Sequence, residues 1–402
     1  MGLNATPSSE RVHVSFFGKR NAGKSCLVNR VTGQELSVVS HIAGTTTDPV
    51  KKAMEILPIG PVLITDTPGF DDDGELGEKR VETTLRTLRS TDVAVLVIDA
   101  ENFEGEIAGS DLKLVQMFED KGIPFVIAFN KFDLLSEEKY KELNSRVLGS
   151  ENEILVSAKN SDNIYELREL IGKICDVKKD MPIVRDLISA GDYVVLVVPL
   201  DSAAPKGRLI LPQQQTLRDV LDANARAIII KETELKNTLE DIKVKPALVI
   251  TDSQVFDEVA SVTPEDIPLT SFSILMARYK GFLDQAIDGA KKLSELKDGD
   301  VILIAEGCTH HRQCDDIGTV KIPALIKKFT GLDLKFEFTS GGSFPKKLTG
   351  YNLIIHCGGC MLNEREVHGR MKKAIQKSVP VTNYGIAIAY MKGILERSLK
   401  VL

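Results

Sequence analysis

No run of 18 apolar residues occurs in the 402-residue chain, so no membrane-spanning helix is expected. No block of Lys and Arg stands out, the net charge is −6, and there is no basic or aromatic-rich appendage. A dedicated nucleic-acid surface is therefore not expected. The first ten residues, MGLNATPSSE, lack the apolar core of a secretory signal and read as a disordered polar lead-in, although Gly2 and Thr6 fit the short myristoylation pattern. A cytoplasmic protein is expected. No internal repeat and no low-complexity tract is apparent. Without a secretory signal, the six cysteines are not expected to form disulfides. Cys26 and Cys175 are isolated and read as small buried hydrophobes. Cys308, Cys314, Cys357 and Cys360 crowd the last quarter, which suggests a metal or redox site.

What is present is ordinary for a globular protein: 43% hydrophobic and 27% charged residues, with length for two or three domains. Residues 11–177 alternate apolar runs with amphipathic stretches. The runs Val12–Phe17, Val62–Thr65, Val93–Ile98, Phe125–Phe129 and Ile154–Val156 are nearly continuous Val, Ile and Leu. That pattern predicts an α/β fold with a mostly parallel sheet covered by helices on both faces. The charged segment Val177–Arg185 contains Pro182 and marks a boundary. Residues 186–277 begin a second, smaller α/β unit, with strands predicted at Tyr193–Val198, Ala227–Ile230, Ala247–Ile250 and Leu269–Leu275. Residues 278–402 form a third. It opens on the amphipathic segment Arg278–Leu296 and carries strands at Val301–Ala305, Lys335–Phe338 and Asn352–Ile355, with helices at Ile322–Phe329, Asn363–Lys377 and Ile386–Leu399.

Five motifs lie in the first unit. Gly18-Lys-Arg-Asn-Ala-Gly23-Lys24-Ser25 follows an apolar strand and opens a helix, the context of a phosphate loop. Its backbone N–H groups and the helix N-terminus suit phosphate oxygens, with contacts expected from Gly18, Asn21, Ala22, Gly23, Lys24, Ser25 and Cys26. Lys24 reaches the β- and γ-phosphates, and the Ser25 hydroxyl ligates Mg²⁺. Gly44-Thr45-Thr46-Thr47-Asp48 offers a threonine, Thr46, to complete the Mg²⁺ shell. Asp66-Thr67-Pro68-Gly69 ends a strand, with Asp66 holding Mg²⁺ through water and the Gly69 N–H sensing the γ-phosphate. In Asn130-Lys131-Phe132-Asp133, the Asp133 carboxylate accepts from guanine N1–H and the 2-amino group, which adenine cannot match. In Ser157-Ala158-Lys159, the Ala158 N–H meets guanine O6. GTP/GDP with Mg²⁺ is the ligand these predict.

The first 175 residues resemble bacterial GTPases of the branch containing tRNA-modification GTPases. Phe70 follows Gly69 where Ras-like proteins carry a water-orienting glutamine. Asn21 matches an asparagine that ligates K⁺ in related proteins. The resemblance implies slow, K⁺-stimulated GTP hydrolysis with Lys24, Thr46, Gly69 and Asn21 as the catalytic set.

In the last unit, Cys308-Thr309-His310 and His356-Cys357-Gly358-Gly359-Cys360 each follow an apolar strand. The carboxyl edge of an α/β sheet is where ligands bind, so two strand ends can gather three thiols and two imidazoles. Three thiolates suit a Cys₃His zinc site or an iron–sulfur cluster, and the residues alone leave both open. A GTPase domain joined to C-x-H and then H-C-x-x-C resembles the [FeFe]-hydrogenase H-cluster maturation GTPases, HydF, along the whole chain. The resemblance implies a middle dimerisation domain at 186–277 and a cluster domain at 278–402. It implies a [4Fe–4S] cluster on Cys308, Cys357 and Cys360, with His310 or His356 as fourth ligand, and assigns His311 and Cys314 no role. It further implies a homodimer that scaffolds a transient di-iron subcluster precursor, with radical-SAM maturases and [FeFe]-hydrogenase as partners. The alternative is an RNA-modification or ribosome-associated GTPase with a structural Cys₃His zinc.

Overall fold

The computed structural model describes residues 6–33, 49–70, 75–175, 181–199, 209–307, 317–341 and 343–402. The chain divides into two compact units, residues 1–178 and 179–402.

Apolar runs with no polar face must be covered on both sides, and the first unit does this around one sheet. Its elements are β1 (Val12–Phe17), α1 (Lys24–Thr32), β2 (Val50–Ile56), β3 (Gly60–Asp66), α2 (Glu75–Leu88), β4 (Val93–Asp99), α3 (Gly109–Asp120), β5 (Phe125–Asn130), α4 (Glu137–Leu148), β6 (Glu153–Val156) and α5 (Ile164–Ile174). The strands stand in the order β2-β3-β1-β4-β5-β6. All neighbours are parallel except the β2–β3 pair. Two apolar layers flank the sheet, one built around Val14, Phe16, Val95 and Leu167, the other around Phe17, Leu96, Phe118 and Phe129. Strand β2 has no counterpart among the apolar runs. Its sequence, VKKAMEI, is charged because it is a sheet edge, where Lys side chains discourage further pairing.

The second unit contains two sheets. The first is built from β7 (Tyr193–Val197), α6 (Leu211–Asp222), β8 (Arg226–Ile230), α7 (Leu235–Asp241), β9 (Leu248–Thr251), α8 (Phe256–Val262), β10 (Leu269–Ser271) and α9 (Phe272–Tyr279). After α10 (Leu283–Lys291) come β11 (Val301–Ala305), α11 (Ile322–Thr330), β12 (Lys335–Thr339), β13 (Leu353–His356), α12 (Glu364–Gln376), β14 (Val381–Asn383), α13 (Tyr384–Met391) and α14 (Leu395–Leu399). The sheets run β10-β9-β7-β8 and β12-β11-β13-β14, parallel throughout. Counted within each sheet, both read 2-1-3-4, so the fold repeats an architecture that the sequence conceals. One apolar core joins them, mixing Val195, Val249 and Phe256 with Leu303, Ile354 and Met371.

Three segments differ from the sequence expectation. Leu269–Leu275 is not one strand: the Ser271 hydroxyl accepts from the Ile274 N–H at 3.3 Å and starts α9 there. Arg278–Leu296 is broken by Gly281, at φ +66°, between α9 and α10. Ile386–Leu399 is likewise split into α13 and α14 by Gly393, at φ +73°.

Candidate functional site

The phosphate loop leaves β1 at Gly18, whose φ is +136°; a Cβ there would lie 2.2 Å from the Val97 carbonyl of β4. Gly23 caps α1 at φ +89°, and a Cβ there would lie 2.2 Å from Asn130 Nδ2. Only glycine fits both positions. The Lys24 ammonium donates to the carbonyls of Gly18 and Lys19 at 3.0 and 2.7 Å. Ser25 Oγ donates to Asp66 Oδ2 at 2.6 Å, so the two groups expected around Mg²⁺ meet. The Phe70 N–H donates to Gly18 O at 3.1 Å, which ties the Asp66–Gly69 segment to the loop. Asn21 adopts φ +62°, a left-handed conformation that asparagine tolerates well. Phe70 is 2% exposed and packs in the core, so it has no means of orienting a water.

The base-side motifs are joined to this loop. Asn130 Nδ2 donates to Ala22 O at 2.9 Å, and its Oδ1 accepts from the Ala158 N–H at 3.0 Å. Asp133 accepts from Ser157 Oγ at 2.7 Å. Ala158 O in turn accepts from Arg30 Nε at 3.0 Å and lies 3.8 Å from Cys26 Sγ. Lys131, at φ +68°, donates to Asp99 Oδ2 at 2.7 Å. Lys159 is exposed. Four of the five motifs thus converge at the carboxyl ends of β1, β3, β5 and β6. Thr46 and the rest of Gly44–Asp48 lie outside the described residues. Sequence reasoning missed Asp99 and Arg30. The place of Asp99 at the end of β4, beside β5, was the available signal.

In the second unit, β11 and β13 are adjacent and parallel, with Ala305 opposite His356. The Cys357 N–H donates to Ala305 O at 2.9 Å. Cys357 Sγ accepts from the N–H groups of Gly307 at 3.0 Å and Gly359 at 3.3 Å. Burial pushes the Cys357 thiol pKa up, while those two N–H groups pull it down. Cys360 is a free, half-buried thiol. Cys308, His310, His311 and Cys314 lie outside the described residues, and among the described residues no group of three metal-ligating side chains occurs. The donor chemistry suits a soft metal centre. Cys357 and Cys360 are unpaired, and N–H groups already point at sulfur as they do around iron–sulfur thiolates.

His356 is engaged by the protein itself. It is 1% exposed, its Nδ1 lies 2.6 Å from Cys357 O, and its Nε2 lies 3.1 Å from Arg370 Nη1. The guanidinium can only donate, so Nε2 accepts and Nδ1 donates. Both nitrogens are committed within the protein. Burial, and then the Arg370 charge, push the imidazole pKa down to about 3. Arg370 is itself held by Gly341 O at 2.6 Å, by Glu366 Oε1 at 2.8 Å and over the Phe344 ring at 5.3 Å. Sequence reasoning missed Arg370, and also Lys280, whose ammonium donates to Gly359 O at 2.6 Å. No spacing links either to the cysteines.

The first unit is a P-loop GTPase domain: residues 13–131 match the family model described as 50S ribosome-binding GTPase. Residues 183–281 match the Hydrogen maturase F dimerization domain and residues 284–401 the Hydrogen maturase F tetramerization domain, together more than half of the chain. The chain belongs to the Hydrogen maturase F family. The chain is 36% identical over 172 residues to GTPase Der of Wolinella succinogenes, which covers 40% of this chain and 36% of that protein. It is 32% identical over 166 residues to the tRNA modification GTPase MnmE of Acetivibrio thermocellus, covering 41% and 35%. The chain thus spans about a third of the length of these curated relatives. Among solved structures, Aquifex aeolicus Era bound to GDP·AlF₄⁻ aligns with a TM-score of 0.36 and 22% identity, covering 54% of this chain and 91% of that one.

Proposed function

We propose that this protein is a GTP-hydrolysing scaffold that holds a [4Fe–4S] cluster on Cys308, Cys357 and Cys360 and assembles or delivers the di-iron subcluster of [FeFe]-hydrogenase. One observation carries the reading. The Gly307 N–H is bonded to Cys357 Sγ at 3.0 Å, and Cys308 is the next residue in the chain. The described residue just before the first cysteine of the motif is thus held at the sulfur of the second. Three thiolates leave one metal position for an exchangeable ligand or for cargo. Because both His356 nitrogens are engaged, His310 is the better histidine for that position.

In this reading the first unit binds GTP through Gly18, Asn21, Ala22, Gly23, Lys24, Ser25, Cys26, Thr46, Asp66, Gly69, Asn130, Lys131, Asp133, Ser157, Ala158 and Lys159, with Mg²⁺ on Ser25 and Thr46. Hydrolysis is slow and K⁺-stimulated through Asn21, and it acts as a switch on partner association. Radical-SAM maturases and the hydrogenase are the partners, the protein is cytoplasmic, and the family names of residues 183–401 favour a homo-oligomer. Among the described residues, no helix is long and apolar enough to cross a membrane.

The decisive experiment is iron, sulfide and zinc analysis of anaerobically purified protein, with EPR before and after imidazole. About four irons and four sulfides per chain are expected, with an EPR signal that imidazole alters. Colourless protein with one zinc would instead support the RNA-modification alternative. Replacing K⁺ by Na⁺ should slow GTP turnover; an unchanged rate removes Asn21 from the mechanism.

A further inference from the structure

Lys280 ends the helical region after α9, in the last residues of the segment that matches the dimerization domain. Its side chain reaches the cysteine loop, which belongs to the next segment. It is 7% exposed, and its Nζ donates to Gly359 O at 2.6 Å. A Cβ built on Gly359 would lie 3.8 Å from that nitrogen, 3.6 Å from His356 Cε1 and 3.1 Å from Val367 Cγ2. The ammonium is therefore packed into the turn between Cys357 and Cys360. The Lys280 carbonyl is bound in turn by His368 Nε2 of α12, so both ends of the residue are fixed.

Packing alone gives no reason for an ammonium here. Burying a charge costs several kcal/mol unless an opposite charge faces it. Among the described residues its hydrogen-bond partner is one backbone carbonyl, which is weak compensation, and a Met would fill the same volume. Burial holds the Lys280 pKa below its ordinary value, while Cys360, Cys357 and Glu364, in that order, act the other way and favour the charged form. By geometry, Nζ sits at Gly359, in the turn that joins the two thiols the functional reading gives to the cluster.

We infer that Lys280 is a positioning residue that fixes the Cys357–Cys360 loop and supplies the positive charge facing the anionic iron–sulfur group held there, raising its reduction potential. This rests on the iron–sulfur reading above. A nearby cation favours the more negative, reduced state of a cluster, and hydrogen bonds and charge around the thiolates are recognised controls of potential. Thiols and cation come from different segments, so the site is complete only when the two sheets of the second unit are packed together.

The test uses full-length, anaerobically loaded protein, as wild type, Lys280→Met and Lys280→Arg. Iron and sulfide are counted, the cluster is titrated with reductant under EPR, and iron release to a chelator is timed. Lys280→Met should shift the midpoint to a more negative potential and release iron several-fold faster. Lys280→Arg should stay near wild type. If Lys280→Met does not fold, Lys280→Gln carries the same comparison. Iron-loaded protein whose potential and release rate are indifferent to losing the charge overturns the inference alone. Wild-type protein holding zinc and no iron overturns the functional reading and this inference with it.

Discussion

The nucleotide site and the cysteine site sit at the carboxyl ends of parallel strands, yet they take their rigidity from different places. At the nucleotide site the motif residues brace one another. Asn130 joins the Ala22 carbonyl to the Ala158 N–H, Asp133 holds Ser157, and Ser25 holds Asp66. At the cysteine site the Cys357 sulfur takes two backbone N–H groups, and the rest of the support comes from outside the motif. Gly307, Lys280 and the Arg370–His356 pair hold the loop, and apart from His356 none belongs to a motif. A site that binds oxygen-rich phosphate through its own backbone needs glycine and asparagine at fixed steps. A site for a soft metal needs only thiols, and its support can come from anywhere in the fold.

The comparison breaks most sharply at Cys357. On the proposed iron–sulfur reading, replacing Cys357 with Ser should reduce bound iron to near zero while GTP turnover stays within about twofold of wild type, as two separately braced sites require. Iron per chain and phosphate release, measured on one preparation, decide it; a parallel collapse of both would show that the sites are one machine. The reciprocal variant, Lys24→Ala, should cut GTP turnover by about 10²–10³-fold, the usual cost of losing a charge-stabilising group. Its iron content should not change.

The same contrast explains why one site is more legible in the sequence than the other. Glycines 18 and 23 are forced by positive φ and close approach, so the phosphate loop can be read down to single residues. The adjacency of β11 and β13 is legible only as two strands each followed by cysteine. The sequence shows a histidine beside cysteine and cannot show Arg370 approaching it from α12. The repeated 2-1-3-4 sheet is hidden because strand order is set by packing that many sequences satisfy. Strand β2 is hidden because edge strands trade apolar residues for charge.

Arg370 offers a smaller but sharper test of external bracing. It is 4% exposed and binds His356, Glu366 and Gly341 together. Arg370→Met should destabilise the second unit by about 3 kcal/mol, because Glu366 loses its partner and His356 a donor. Hydrogen exchange at the amides of β13 and α12 reads this locally, and the amides of β5 serve as the unaffected reference. Loss of protection in both units would mean that the bracing is not local.

The smallest effect belongs to a contact at the rim. Arg278 of α9 grips the Asp186 carboxylate, with Nη1 to Oδ1 at 3.0 Å, and so ties the start of the second unit to its core. The Arg278 hydrogen bond, ahead of the attraction between the two charges, holds the Asp186 pKa below the usual carboxylate value. The Asp186 side chain is 37% exposed, so solvent screens the pair. Arg278→Ala should therefore cost less than about 1 kcal/mol at neutral pH, and less again at high salt. For a carboxylate whose folded pKa is depressed, the stabilisation is present above its ordinary value and fades as pH falls through the folded one. The difference between wild type and Arg278→Ala, followed by hydrogen exchange in α9 at neutral and acid pH, should shrink on acidification. A difference that stayed constant as pH fell would mean that Arg278 acts through packing or through its contact with Ile183 O at 3.4 Å, and that the ion pair contributes nothing.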